Sequence, residues 1–389
     1  MQRKIDRALI AIRDYFLVLV PPIFFGTVIF VDSIIIPLQL LTIFGLVELI
    51  FYRVVRNRLI SSLLWLWAVV ALLLGGTLLA SGGGLDEGNA KQLAMRVIFA
   101  IYTVALFIRL LINNRLSPVA VRAALITLRF LFLYGIYELF AKANGLPLPL
   151  NALSNNPSYT NALKVTSEIS GWIEFYRAQS IWPEPSFAIF PIILFWVLSD
   201  GEDMPIGRFD IALMTVFAAV TFSRTVWIGM FILLLTHFPI FRGKSKPMAL
   251  GLVLIFSIAL LNLSSGTDHS ASVRAETTMQ GFEIASKDVY RGIGFNEYKN
   301  TDYAEITQET VIHNTVSSYV ASMGWPIGLA LLLLFIMPLW APRAKKFSYF
   351  APLVVVLVFT MSDAFYFTPV YFLIAYGRAK NLSFRSLVS

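Results

Sequence analysis

Apolar runs of about 17–25 residues recur along nearly the whole chain, and each matches the helix length needed to cross the hydrocarbon core of a bilayer. Charge is correspondingly scarce. Only 14% of the 389 residues are Asp, Glu, Lys or Arg and 57% are hydrophobic, whereas a soluble domain carries about 25% charged residues. The expected fold class is all-α: one polytopic integral membrane domain over 1–389. Twelve spans are expected, at 15–31, 33–52, 59–80, 94–113, 120–141, 186–200, 208–223, 225–241, 248–264, 315–340, 348–363 and 366–378.

The formal charge of +8 follows this alternation rather than a nucleic-acid surface. Twenty of the 31 Lys and Arg residues fall on the termini and connections that the alternation assigns to one side, among them Arg53, Arg56, Arg58, Arg343, Lys345 and Lys346. Cations mark the cytoplasmic side, so both termini are expected inside and no nucleic acid is expected as a partner. The basic, amphipathic stretch before the first span has no small-residue cleavage site after it and reads as an interfacial lead-in. Cysteine is absent, which excludes disulfides, zinc–thiolate sites and thiol catalysis.

Two connections are long, 142–185 and 265–312, and both fall on the outer side. Loops of this length tend to be functional or disordered. Their aromatic and apolar residues at helical spacing predict short amphipathic helices instead of disorder. In the second loop Val273, Met279, Phe282, Ile284 and Ala285 mark one face, Ser272 is the expected N-cap, and Arg291-Gly292-Ile293-Gly294 supplies a stop near Tyr290. The shorter outer connection 81–92 is glycine-rich but has no phosphate-binding pattern, with neither a strand before it nor Lys-Ser/Thr after it.

Polar groups inside spans are costly and need partners or a cavity. Arg224 interrupts an apolar stretch, and reads either as a tight outer turn or as a guanidinium held in an outward cavity; an arginine snorkelling to headgroups is the plainer account. Arg129 and Glu48 lie well inside spans and are expected to pair with each other. Glu138 lies near an outer span end. The first loop closes on Arg177 and Trp182-Pro183-Glu184-Pro185-Ser186. The prolines stiffen this approach to the next span, Ser186 is the expected cap of its first turn, and a rigid Glu184 beside Arg177 suits a site that handles sugars or phosphates. A plain capping segment is the alternative. Of the three histidines, His237 and His269 have no such setting, whereas His313 stands just before an outward-facing helix start, followed by Asn314 and Thr315. A neutral imidazole there can take a proton from a hydroxyl near neutral pH; a helix-start histidine bonded to backbone is the alternative. The outer loops hold no Asp-x-Asp pair for Mg²⁺, so neither metal nor cofactor is expected.

Three segments together resemble the O-antigen polymerase and ligase superfamily of bacterial membrane glycosyltransferases. They are Trp182-Pro183-Glu184-Pro185-Ser186-Phe187-Ala188; Thr221-Phe222-Ser223-Arg224-Thr225-Val226-Trp227; and the stretch with Arg274, Lys287 to Gly294, Tyr298, His313-Asn314 and Gly324-Trp325-Pro326-Ile327-Gly328. The resemblance covers about residues 160–330. It implies an enzyme of the inner (cytoplasmic) membrane whose active site faces the periplasm and transfers a sugar chain from undecaprenyl diphosphate to an acceptor hydroxyl. It further implies His313 as general base and Arg224 and Arg274 as diphosphate ligands; Arg177, Glu184, Arg291 and Tyr298 are further expected substrate contacts. The Glu-Pro-Ser form of the first motif favours a polymerase, with lipid-linked oligosaccharides and membrane lipids as partners and a chain-length regulator as a further one. The alternatives are a ligase acting on lipid A-core and, from another class, a lipid-linked oligosaccharide flippase. A flippase would concentrate its polar residues near the bilayer midplane, whereas here they gather in outer loops.

Overall fold

The computed structural model describes residues 2–24, 28–31, 34–37, 56–80, 90, 93–94, 96–98, 100–104, 106, 116–150, 164–166, 174–182, 184–199, 206–237, 269–295, 297–307, 312–336, 353–354, 357 and 361. The expected spans at 248–264 and 366–378, most of those at 33–52 and 348–363, and Glu48 lie outside them. The chain divides into two units, each built from separated segments: Met1–Phe51, Arg109–Phe256 and Leu373–Ser389 form one, and Tyr52–Ile108 with Ser257–Phe372 form the other.

In the first unit α1 (Gln2–Arg13) runs into a π-helical turn, Asp14–Leu19, and a short α2 (Val20–Ile23). Buried Asp14 accepts the Ser117 amide at 2.8 Å, just ahead of α4. The expected first span does not continue to residue 31. After the Pro21-Pro22 pair the chain forms β1 (Val28–Val31), antiparallel to β2 (Ile34–Pro37), with Asp32-Ser33 between them. A short apolar run rich in β-branched residues fits strand as well as helix.

The helix α3 (Arg56–Ala80) belongs to the second unit. In the first unit follow α4 (Pro118–Asn144), a small ladder of β3 (Lys164–Thr166) and β4 (Glu174–Tyr176), a 3₁₀ turn Pro185–Ala188 leading into α5 (Ile189–Ser199), α6 (Arg208–Val220) and α7 (Arg224–His237). The described part of the first long loop therefore contains strands where a short helix was expected. Around α4 the core is aromatic. Phe132 stacks on Phe217 at 5.0 Å and lies 5.9 Å from Phe195; Trp182 is 5.7 Å from Phe217 and its indole N–H donates to Ile23 O at 3.0 Å. Gly135 permits this approach, because a Cβ there would stand 2.3 Å from the Phe217 ring. The other face of α4 exposes an apolar stripe, Val119, Ile126, Phe130, Leu133 and Phe140, so the helix is apolar on both sides.

The second unit holds α3, α8 (His269–Lys287), a 3₁₀ turn Tyr298–Asn300, α9 (Asp302–Thr307) and α10 (Thr315–Ile336). The long apolar helix α10 packs on both α3 and α8. It is broken at Gly324, where φ is 75°. Trp325 N–H turns away from the helix to donate to Val289 O at 2.8 Å, and Pro326 has no N–H to return. The carbonyls of Ala321 and Ser322 thus lose the donors four residues on that an unbroken helix would supply. They accept instead from Ile293 N and Gly294 N, each at 2.8 Å. Segment 289–294 is stitched into the break.

Among the described residues two helices, Pro118–Asn144 and Thr315–Leu334, are long and apolar enough to cross a membrane; the apolar helices Leu64–Ala80, Pro185–Ser199 and Arg224–Leu235 are shorter. Helix thus dominates as expected, while the full count of twelve spans is not established by these residues.

The seam at the break makes a sharp demand on glycine. A Cβ on Gly292 would sit 2.5 Å from Met323 N, and one on Gly324 2.6 Å from Tyr290 O, whereas Gly75 in α3 has nothing within 4 Å. Gly292→Ala and Gly324→Ala should each cost more than about 2 kcal/mol, read as a lowered melting temperature of the purified protein. Gly75→Ala should cause no loss.

Candidate functional site

The first unit arranges its polar residues around the end of α4. Glu138 is fully buried there, and its carboxylate lies 2.7 Å from Lys142 Nζ one turn on. A buried charge is tolerated only when paired and hydrogen-bonded, and Glu138 meets both conditions: its Oε2 accepts Gln179 N at 2.9 Å and Ser180 N at 2.6 Å. Lys142 Nζ donates onward to Arg177 O at 3.1 Å. Ser180, held at φ 58°, sends its hydroxyl to Leu131 O at 2.9 Å. Residues 177–180 are therefore strapped to α4 through their backbone.

The other edge of the strap meets the turn between α6 and α7. Ala178 N donates to Val220 O at 3.0 Å, Arg177 Nε to Thr221 O at 3.2 Å and Arg177 Nη2 to Phe222 O at 2.8 Å. Phe222 lies at φ 47°, and Trp227 braces the turn by donating its indole N–H to Ala218 O at 2.8 Å. Arg224 then opens α7, half-buried. The chain turns tightly at 221–223 immediately ahead of it. Glu184 is half-buried on extended backbone ahead of the 3₁₀ turn. Ser186 is not the cap expected of it: Glu184 occupies the N-cap position, and the Ser186 hydroxyl donates to the Glu184 carboxylate at 3.2 Å.

In the second unit His313 sits one residue before the N-cap of α10. Asn314 is that cap, its Oδ1 accepting Ser317 N at 3.1 Å. Ile312 on one side and Thr315 on the other are buried, and the Thr315 hydroxyl donates to Met361 O, while His313 itself is half-buried. Helix α8 reaches this start closely, because a Cβ on Gly281 would meet Ser317 Cβ at 3.0 Å and Ile312 Cδ1 at 3.1 Å. Two turns earlier on α8 lies Arg274, half-buried, whose guanidinium has no hydrogen-bond or ion-pair partner among the described residues. Arg291 is exposed and donates through Nε to Leu79 O at 2.8 Å. Tyr298, expected to touch substrate, is instead buried in a small core with Ile284, Ala304, Ile312 and Ala321, its hydroxyl donating to Gln280 Oε1 at 2.6 Å.

The helix in this loop starts three residues before the expected Ser272 cap, at His269. Its buried face also differs. Val273, Thr277, Gln280, Gly281, Ile284 and Ala285 face inward while Met279 is 70% exposed. Val273, Ile284 and Ala285 lie on the packed side as expected, Met279 does not, and that side also includes Gln280, satisfied by Tyr298. At its far end the Tyr303 hydroxyl donates to Glu283 and accepts from Lys287, each at 2.5 Å. This contact, together with the Lys287 ammonium, holds the Glu283 carboxyl below its usual range and Lys287 above its own.

The expected site residues thus fall into two sets: Arg177, Glu184 and Arg224 in the first unit, and Arg274, Arg291, Tyr298 and His313 in the second. Arg129 forks onto Asp210, Nε to Oδ1 at 2.7 Å and Nη2 to Oδ2 at 2.9 Å; Glu48, its expected partner, lies outside the described residues. Glu138 with Lys142 was missed as a pair, although four-residue spacing on a helix is the signal for one. Among the described residues no three His, Asp or Glu side chains gather in a metal-binding cluster. No protein-family model and no curated protein matches the chain.

Removing one member of a buried pair strands the other charge, at about 3–5 kcal/mol. Glu138→Ala and Lys142→Met should each lower thermal stability by that order. Glu138→Gln combined with Lys142→Met keeps acceptors for the strap and removes both charges, so it should melt close to the parent protein.

Proposed function

We propose that this chain is a bacterial inner-membrane glycosyltransferase with twelve spans that polymerises undecaprenyl-diphosphate-linked oligosaccharide repeats, for O-antigen, capsule or exopolysaccharide, on the outer face of the membrane. The observation that carries the reading is the setting of His313. It is half-buried and lies immediately ahead of the Asn314 cap of a long apolar helix, against which the arginine-bearing helix α8 packs. An imidazole so anchored by Ile312 and Thr315 can meet an acceptor hydroxyl at a membrane surface.

In the proposed step the hydroxyl oxygen of the acceptor forms a bond to the anomeric carbon of the donor sugar. His313 takes the hydroxyl proton, and the bond from that carbon to the diphosphate oxygen breaks with its electron pair leaving on the diphosphate. Diphosphate is a good leaving group, so what it requires is fixed positive charge rather than a general acid. Guanidinium forks bind phosphate oxygens in pairs, and Arg224 and Arg274 have that role here. Arg224 opens α7, and a helix N-terminus itself favours an anion through its free N–H groups and dipole. Attack opposite the leaving group inverts the anomeric carbon. The acceptor is a second lipid-linked repeat, and a chain-length regulator is the expected protein partner.

His313→Ala should abolish polymer while lipid-linked repeat accumulates on the outer face; accumulation on the inner face would identify a flippase instead. Arg224→Lys should reduce activity about 10²–10³-fold, in the range of losing one preorganised transition-state donor. Purified protein given lipid-linked repeat, with and without lipid A-core, separates polymerase from ligase by product size. Retention at the anomeric carbon would rule out the single displacement.

A further inference from the structure

The guanidinium of Arg177 faces backbone. Its Nε and Nη2 fork onto the carbonyls of Thr221 and Phe222 at 3.2 and 2.8 Å. Those two residues form the turn that delivers Arg224 to the head of α7, and Phe222 is held there in the left-handed region at φ 47°. A non-glycine residue leaves that region unless its surroundings hold it. The strap is in turn fixed along its other edge, by Lys142 on Arg177 O and by Glu138 on the amides of Gln179 and Ser180.

We propose that Arg177 is a positioning residue: it locks the Thr221–Phe222 turn against the Glu138–Lys142 pair and thereby aims Arg224 at the diphosphate of the donor. This rests on the reading of Arg224 as a diphosphate ligand given above. The fork explains the residue type. Two carbonyls on successive residues suit the planar, divergent donors of a guanidinium, and a lysine ammonium is a point charge on a flexible stem. The positive charge also sits just past the C-terminal end of α6, the end of a helix that favours cations. In this role Arg177 acts on the substrate through Arg224.

The test is a double-mutant cycle on purified protein polymerising a lipid-linked repeat, read with hydrogen exchange of the peptide spanning 219–228. Arg177→Ala should lower kcat/KM about 100-fold, the scale of an ångström-size misplacement, and Arg177→Lys should recover part of that loss. Arg177→Ala in the Arg224→Ala background should cost less than about threefold more, because the aimed group is already gone. Exchange over 219–228 should rise about tenfold in Arg177→Ala. Wild-type kcat/KM in Arg177→Ala overturns the proposal. So does a full further loss in the double variant, which would make Arg177 a direct substrate contact, or unchanged exchange at the turn. If Arg177→Ala does not accumulate, Arg177→Lys and its double with Arg224→Ala carry the same comparisons. If the unaltered protein makes no polymer, the reading of Arg224 falls and the aiming with it, while exchange still decides whether Arg177 holds the turn.

Discussion

A carboxylate and an ammonium buried together at the end of α4 set the geometry of the first unit. Glu138 and Lys142 are costly to bury singly, and even as a pair they need further hydrogen bonds to break even. The backbone of 177–180 supplies those bonds, so satisfying the pair and fixing the strap are one event. From there the order passes through Arg177 to the turn at Phe222 and so to Arg224. No apolar contact could do this, since dispersion and burial do not select one orientation of a chain. Hydrogen bonds to a buried charge do.

The second unit solves a different problem with the same means. There the polar groups in need of partners are backbone carbonyls, exposed by the break in α10, and amides of a loop answer them. Phe282 stacked on Trp325 at 5.9 Å ties α8 to the same point. The consequence for His313 is that its helix start, the helix α8 and segment 289–294 form one packed body, with Tyr298 and Ile312 in its core.

What could be read from residues alone follows from how local each cause is. The long helices at 118–144 and 315–336, and the tight turn before Arg224, were legible because apolar length and punctuation are local properties. The hairpin at 28–37 was not, since its apolar residues have no period that separates strand from helix. Asp210, which pairs with Arg129, lies 81 residues away, and nothing local in the sequence marks it. Met279 is exposed where hydropathy expected it inward, while its neighbour Gln280 is buried with its side-chain oxygen satisfied by the Tyr298 hydroxyl. Of the candidate site, residue types and motif order were readable. The backbone-facing fork of Arg177 and the core position of Tyr298 were not, because which way a side chain turns depends on neighbours remote in sequence.

The break in α10 also bears on how the protein is made. A helix entering hydrocarbon with two bare carbonyls pays several kcal/mol for each. Here the amides that cover them come from residues 293 and 294, which precede the helix in the chain. Translation therefore delivers the patch before the hole.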